Sequence, residues 1–296
     1  MDAFATSLRP LAGGHSGETF LAGAGDEQLV VRVYAARSRA RGPLAPEVDA
    51  AVLELVRGLL PVPTVLEVRR GDPDTDVPGL LVTSLEPGER LDLVLPGLDD
   101  AGLAATGHAL GIVLARLGHV VQPRAGFFGD RSLVPVAPLP DLVTFLDAHL
   151  DALDRVLGAE AVAALEPVVG VAQDLLDADR RTVLVHADLG PGNVLVDPAS
   201  GEVTAVVDWE FAHAGSPWSD LGTLLRDERR PAFVGAVLAA YASWVPDVPD
   251  DVLDRARSVD LAALVDLAVR DGASAPVLRA RDRLLAVART GDVHAC

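Results

Sequence analysis

The sequence predicts an α+β fold in which strands gather in the first third of the chain and helices dominate the rest. Three observations carry this. Apolar, β-branched runs recur between residues 8 and 88, separated by glycine- and proline-rich turns. From about residue 99 the pattern shifts to long stretches of 3.6-residue periodicity. A single β-rich island, Val183 to Glu210, interrupts the helical part and reads VLVHADLGPGNVLVDPASGEVTAVVDWE.

Taken in order, LRPLAGGHSGETFLAGAG places a glycine-rich turn ahead of a Thr-Phe-Leu run, and LVVRVYA follows as a strand bearing Arg32. Pro46 opens a helix whose Val48, Val52, Leu55 and Val56 share one face and which stops near Gly58. PVPTVLEV and PGLLVTSLEPGERL then read as two strands around the acidic turn GDPDTD, and the domain boundary is set between residues 87 and 88. Residues 99–118 form an amphipathic helix ending at Gly118, and Gln122 to Leu139 is a loop. DLVTFLDAHLDALDRVLG and AEAVAALEPVVGVAQDLLDAD are two further amphipathic helices, and three more are expected at 231–245, 249–272 and 274–289.

Composition limits the function. The 296 residues are 50% hydrophobic, enough for a large core, and the net charge of −18 argues against nucleic acid or an anionic membrane as partner while suiting a cationic small molecule. Lysine is absent, and the sole cysteine is Cys296, so the described chemistry involves neither an internal disulfide nor a cysteine-based zinc site. No apolar stretch approaches the ~18 residues of a membrane span, and MDAFATSLRP lacks a signal-peptide pattern, so a cytoplasmic location is expected.

The island at 183–210 carries the chemistry. Tight turns between its strands can deliver Asp208 beside the loop that holds His186, Asp188 and Asn193. Phosphoryl transfer calls for such a set: a carboxylate to take the hydroxyl proton, and an Asn and an Asp to hold Mg²⁺. The spacing His-x-Asp-x-x-x-x-Asn, followed by an Asp at a strand end, makes Asp188 the base and Asn193 and Asp208 the metal ligands. Two protein ligands suffice for Mg²⁺, which retains waters and phosphate oxygens.

HADLGPGNVLV followed by VVDWEFAHAGSPWSDLG resembles the catalytic and metal-binding region of the aminoglycoside phosphotransferase and choline kinase group, a branch of the protein-kinase-like fold. The chain departs from that pattern at Ala187, Gly190 and Ser216, none of which removes a catalytic group. The resemblance implies a bilobal protein: residues 1–87 as an N-terminal antiparallel sheet lobe with one helix that binds nucleotide, and residues 88–296 as a larger, mainly helical lobe for catalysis and acceptor binding. It implies that Gly14, Ser16 and Gly17 form a flap over the phosphates of ATP or GTP. Arg32 would stand where the family carries its phosphate-pairing Lys, with Glu47 or Asp49 as its acidic partner. The backbone from Thr83 to Leu85 would meet the base. His186 would orient the loop and Asp220, in SDLG, would bond its backbone. In the resembled enzymes acidic residues of the later helices line the acceptor pocket; Asp147, Asp151, Asp266 and Asp271 match by location only, and none is assigned.

The expected activity is that of a small-molecule kinase acting on a hydroxyl of an aminoglycoside-like or other hydroxylated antibiotic, with Mg²⁺ and ATP or GTP. A metabolic kinase for choline, homoserine or a sugar is the alternative, and a nucleotide-binding pseudokinase the second. Protein kinase activity fits less well. Ala187 replaces the Arg that answers activation-loop phosphorylation, and the 11 residues between Asp208 and Asp220 leave no room for an activation segment.

Overall fold

A computed structural model describes residues 8–11, 19–24, 27–35, 41–72, 74–75 and 77–296. Five antiparallel strands make the first sheet: β1 (Arg9–Pro10), β2 (Thr19–Ala24), β3 (Glu27–Tyr34), β4 (Val65–Arg69) and β5 (Gly79–Ser84), in the order β1-β2-β3-β5-β4. Helix α1 (Ala45–Val56) packs on β4 and β5 through Val48, Val52, Leu53 and Val56. Its start follows from Pro46 in the first turn, where a missing N–H costs nothing.

The chain leaves this sheet through Gly88, whose φ of +116° is open to glycine alone; a Cβ there would lie 2.3 Å from Thr204 Oγ1 and 2.9 Å from the Val196 carbonyl oxygen. It continues at once as β6 (Glu89–Arg90), which joins β10 (Val194–Val196) and β11 (Val203–Val206) in a second antiparallel sheet. The Thr204 hydroxyl donates to the Pro87 carbonyl at 2.6 Å, tying the connection to that hairpin. The DPASG turn closes as the sequence predicts: Asp197 accepts from the Ala199 N–H at 2.7 Å and Gly201 takes φ +74°.

The helices follow. A four-residue α2 (Leu91–Val94) leads to α3 (Asp100–Leu117), whose cap Asp99 accepts from the Gly102 N–H at 2.8 Å. Inside the 122–139 loop, β7 (Phe127–Phe128) and β8 (Pro135–Ala137) form a small hairpin. The segment expected as one helix over 141–158 is broken into α4 (Leu142–Asp147) and α5 (Leu150–Leu157). His149 Nδ1 bonds the Phe145 carbonyl at 2.7 Å at the break. Then come α6 (Ala159–Asp177), β9 (Val183–Val185), which pairs with β12 (His213–Gly215), α7 (Ser219–Leu224), α8 (Pro231–Trp244), α9 (Val252–Ala268) and α10 (Ala275–Thr290).

Two apolar clusters hold the helical part together. The larger runs from α1 through α3, β9–β11 and α7 to α8, with Trp218, Phe233 and Tyr241 fully buried; the other joins α4, α5, α6, α9 and α10. Helices α3 and α8 meet closely because α3 presents Gly107 and Gly111, one turn apart, to the backbone of α8. A Cβ on Gly111 would stand 2.4 Å from the Val237 carbonyl oxygen. Among the described residues no helix is long and apolar enough to cross a membrane.

Candidate active site

The loop after β9 is built on Asp220. Lying in α7 and only 4% exposed, Asp220 accepts the backbone N–H groups of His186 and Ala187 at 2.9 and 2.8 Å. That pair of bonds holds Ala187 at φ +66°, a left-handed conformation that side chains rarely adopt. Burial pushes the Asp220 carboxyl above its ordinary value, and the two N–H donors work against that push.

His186 is fully buried, and its neighbours fix its tautomer. Nε2 faces the Val207 carbonyl at 2.9 Å, which can only accept, so Nε2 carries the proton; Nδ1 then accepts the Asp188 N–H at 3.2 Å. The ring rests against Trp209, with centroids 4.6 Å apart. His186 is thereby a neutral clamp between β11 and the loop, with no free nitrogen for proton transfer.

Asp188 is oriented from the other side by Asn193, whose amide nitrogen donates to the Asp188 carbonyl at 2.8 Å and to its carboxylate at 2.9 Å. Burial raises the Asp188 carboxyl above its ordinary value, and the nearby charge of Asp208 adds to the rise. Asn193 ends a single 3₁₀ turn, Pro191–Asn193, and its carbonyl accepts the Val207 N–H at 2.9 Å. The end of β11 is thus anchored beside the loop, and the chain then turns at Asp208 with φ +65° and ψ +58°. The convergence of Asp188, Asn193 and Asp208 predicted from spacing is therefore present.

Arg32 crosses from β3 to this island and bonds the carboxylates of Asp208 and Glu210. Burial alone would lower the Arg32 guanidinium; the two carboxylates outweigh it and hold it above its ordinary value. Glu210 is raised by burial and by Asp208 despite that partner. The expected pairing of Arg32 with Glu47 or Asp49 is not formed. Asp49, 4% exposed, already accepts from the Tyr34 hydroxyl at 2.6 Å and from both terminal nitrogens of Arg41. Glu47 lies outward against Arg70 at 3.0 Å. Sequence reasoning missed Glu210 as a partner of Arg32. The available signal was its place two residues beyond Asp208, which lets one forked guanidinium engage both.

Thr83 sits within the ladder, opposite Val30 and Val65, while Leu85 follows the last residue of β5 and is exposed. Gly14, Ser16 and Gly17 lie outside the described residues. Asp266 pairs with Arg270 at 2.5 Å on an exposed helix face.

The oxygens left by these bonds suit a hard cation. With its side-chain nitrogen committed to Asp188, Asn193 has its side-chain oxygen Oδ1 to offer, and Asp208 binds Arg32 through only one of its two oxygens. Among the described residues no group of three or more His, Cys, Asp or Glu side chains is placed to hold a metal ion.

A family model described as "Phosphotransferase enzyme family" matches residues 7–257. The chain belongs to this phosphotransferase family. Its fold is shared with a thermostable mutant of aminoglycoside phosphotransferase APH(4)-Ia in the apo form, at 20% identity and TM-score 0.68, with 97% of this chain and 95% of that one covered. A variant of that enzyme in ternary complex with ADP and hygromycin B aligns at TM-score 0.67 and 20% identity, covering 97% and 94%. Choline kinase LicA from Streptococcus pneumoniae aligns at TM-score 0.66 and 14% identity, covering 96% and 94%. The protein-kinase-like architecture expected from the sequence is thus that of this phosphotransferase too. A curated relative, acyl-CoA dehydrogenase family member 10 of Mus musculus, is 28% identical over 214 residues; the match takes in 70% of this chain and 19% of the mouse protein's length.

Proposed function

We propose that this phosphotransferase is a small-molecule kinase that moves the γ-phosphate of ATP or GTP to a hydroxyl of its acceptor, with Asp188 as the base. The observation that supports this most is the state of Asp188: half-buried, oriented by Asn193, and seated on a loop that Asp220 anchors beside Asp208. A carboxylate so held is aimed rather than mobile, and its raised proton affinity suits it to accept a hydroxyl proton. Asn193 and Asp208 would hold Mg²⁺, which neutralises charge on the phosphates. Arg32 supplies the cation that meets them. Residues 1–87, with Gly14, Ser16 and Gly17 as the flap and the backbone of Thr83 to Leu85 at the base, form the nucleotide lobe, and residues 88–296 the acceptor lobe. The site of action is the cytoplasm.

For the acceptor, the fold shared with an aminoglycoside phosphotransferase favours a hydroxylated antibiotic and hence a resistance function, and the fold shared with a choline kinase favours a metabolite. Mg-dependent release of ADP or GDP is to be measured over aminoglycosides, other hydroxylated antibiotics, amino alcohols, sugars and hydroxy acids, with wild type beside Asp188→Asn. Acceptor-stimulated release that the variant lacks is the expected result. Nucleotide binding with no release for any acceptor, identical in both proteins, would point instead to a nucleotide-binding module.

A further inference from the structure

Arg32 and Tyr34 stand two residues apart on β3 and so share one face of the sheet. Both are buried, and the Arg32 guanidinium lies over the Tyr34 ring, its central carbon 5.6 Å from the ring centroid. The ring is itself fixed from behind. Its hydroxyl donates to Asp49 of α1 at 2.6 Å, and both terminal nitrogens of Arg41 bond Asp49 in turn, Nη1 at 2.9 Å. Helix α1 is pressed against the sheet at the same level: Tyr34 pairs with Gly79 of β5, where a Cβ would lie 2.6 Å from Cγ of Pro46. Helix and ring are thus placed by one another.

What this does for Arg32 follows from the part of the guanidinium that each neighbour uses. The carboxylates take its edge, Nη1 going to Asp208 and Nη2 to Glu210. The ring takes its face, where the aromatic quadrupole attracts a cation without consuming an N–H. An acid of α1 bonded directly to Arg32 would have claimed donors from that edge. Through Asp49 and Tyr34 the helix instead holds the guanidinium and leaves the edge for Asp208, Glu210 and phosphate. Nε is buried and makes no hydrogen bond among the described residues, so the side chain is held at its tip by the carboxylates and across its face by the ring. Burial strengthens the contact, because little water competes for the cation. A planar guanidinium can be held in both ways at once.

We propose that Tyr34 is the positioning residue of Arg32: it aims the guanidinium that meets the triphosphate, and Asp49 and Arg41 act through it. This rests on the reading of Arg32 as the phosphate cation and deepens it, since it states how α1 reaches that cation without an ion pair to it.

The test is a double-mutant cycle on the full chain, read as dissociation constants of Mg·ATP and Mg·GTP by calorimetry, at a temperature where melting curves show every variant folded. Tyr34→Met removes the ring but fills much of its space, and should weaken the better-bound triphosphate about five- to tenfold. Arg32→Met alone should weaken it about tenfold or more. In the Arg32→Met background, Tyr34→Met should add nothing, because the group it acts on is gone. Tyr34→Phe separates aim from packing: Asp49 loses a donor and Tm falls, yet the ring remains and affinity should stay within about twofold of wild type. Unchanged affinity in Tyr34→Met, a loss that persists in the Arg32→Met background, or affinity that simply follows Tm across the two Tyr34 variants overturns the proposal and leaves the kinase reading standing. Triphosphate binding that Arg32→Met does not weaken overturns the reading of Arg32 itself. Wild type that binds neither triphosphate saturably removes the nucleotide reading, and the proposal with it.

Discussion

Replacing Asp220 tests whether the loop that carries Asp188 is held from behind. Asp220→Ala would remove the acceptors of two buried N–H groups, at 2.9 and 2.8 Å. Hydrogen bonds to a charged group contribute about 1.5–3 kcal/mol each, which sets a gross loss of about 3–6 kcal/mol. Part of that is returned, because the variant no longer buries a carboxylate whose ionisation burial already opposes. A net loss of about 3 kcal/mol is expected, or roughly 6–12 °C in Tm for a chain of this size. Asp220→Asn keeps one acceptor oxygen and turns a donor toward the other N–H, so it should lose less than the alanine variant in stability yet still release the φ +66° turn at Ala187. Denaturant midpoints at unchanged m values measure both. Turnover should fall in both because Asp188 follows Ala187 directly, while nucleotide binding changes little. An Asp220→Ala protein within about 0.5 kcal/mol of wild type would refute the argument, since that is the range of an inconsequential surface change.

Three other substitutions probe the frame around the site. Gly111→Ala raises helix propensity by up to about 1 kcal/mol, yet it should destabilise by about 2 kcal/mol because its Cβ meets the Val237 carbonyl of α8; thermal unfolding decides the sign. Gly88→Val places a branched side chain at φ +116° against Thr204 and Val196, and unfolding should be easier by about 2–4 kcal/mol, read from the denaturant midpoint. Arg32→Met leaves the half-buried Glu210 without the cation it bonds; allowing for the partial exposure of Asp208 and Glu210, a cost of about 2 kcal/mol is expected. Nucleotide KM should rise at the same time, and a variant with unchanged Tm and KM would show that Arg32 is only a surface charge.

The island at 183–210 was legible because its chemistry is local. His186, Asp188 and Asn193 lie within eight residues, and the Asp197 turn dictates where β11 returns Asp208. Helices were legible where one face is apolar and the start is marked, by Pro46 in α1 and by the Asp99 cap in α3. What the sequence concealed was decided by distant groups. Arg32 was expected to pair with an acid of α1, but Asp49 is satisfied by Tyr34 and Arg41, and the longer guanidinium reaches the island instead. The break at Ala148 has no glycine or proline to announce it. The small residues at Gly107 and Gly111 lower helix propensity and make sense only once α8 lies against them.

The bond from Arg32 to Asp208 links the two halves of the site thermodynamically. On the proposed reading, Arg32 cannot serve Asp208 and an incoming phosphate with the same nitrogen, and Asp208, which gives Arg32 one oxygen, has both oxygens for a cation only once Arg32 lets go. A triphosphate that draws Arg32 away would therefore add the second oxygen to the metal site, and a cation that takes both oxygens would release Arg32 to the phosphate. Metal and triphosphate should bind with positive and reciprocal cooperativity: the factor by which one tightens the other is the same in either order. A lysine would meet both carboxylates with one compact ammonium, so a move toward phosphate would loosen its hold on each of them. The fork of Arg32 makes the same exchange while it keeps its hold on Glu210.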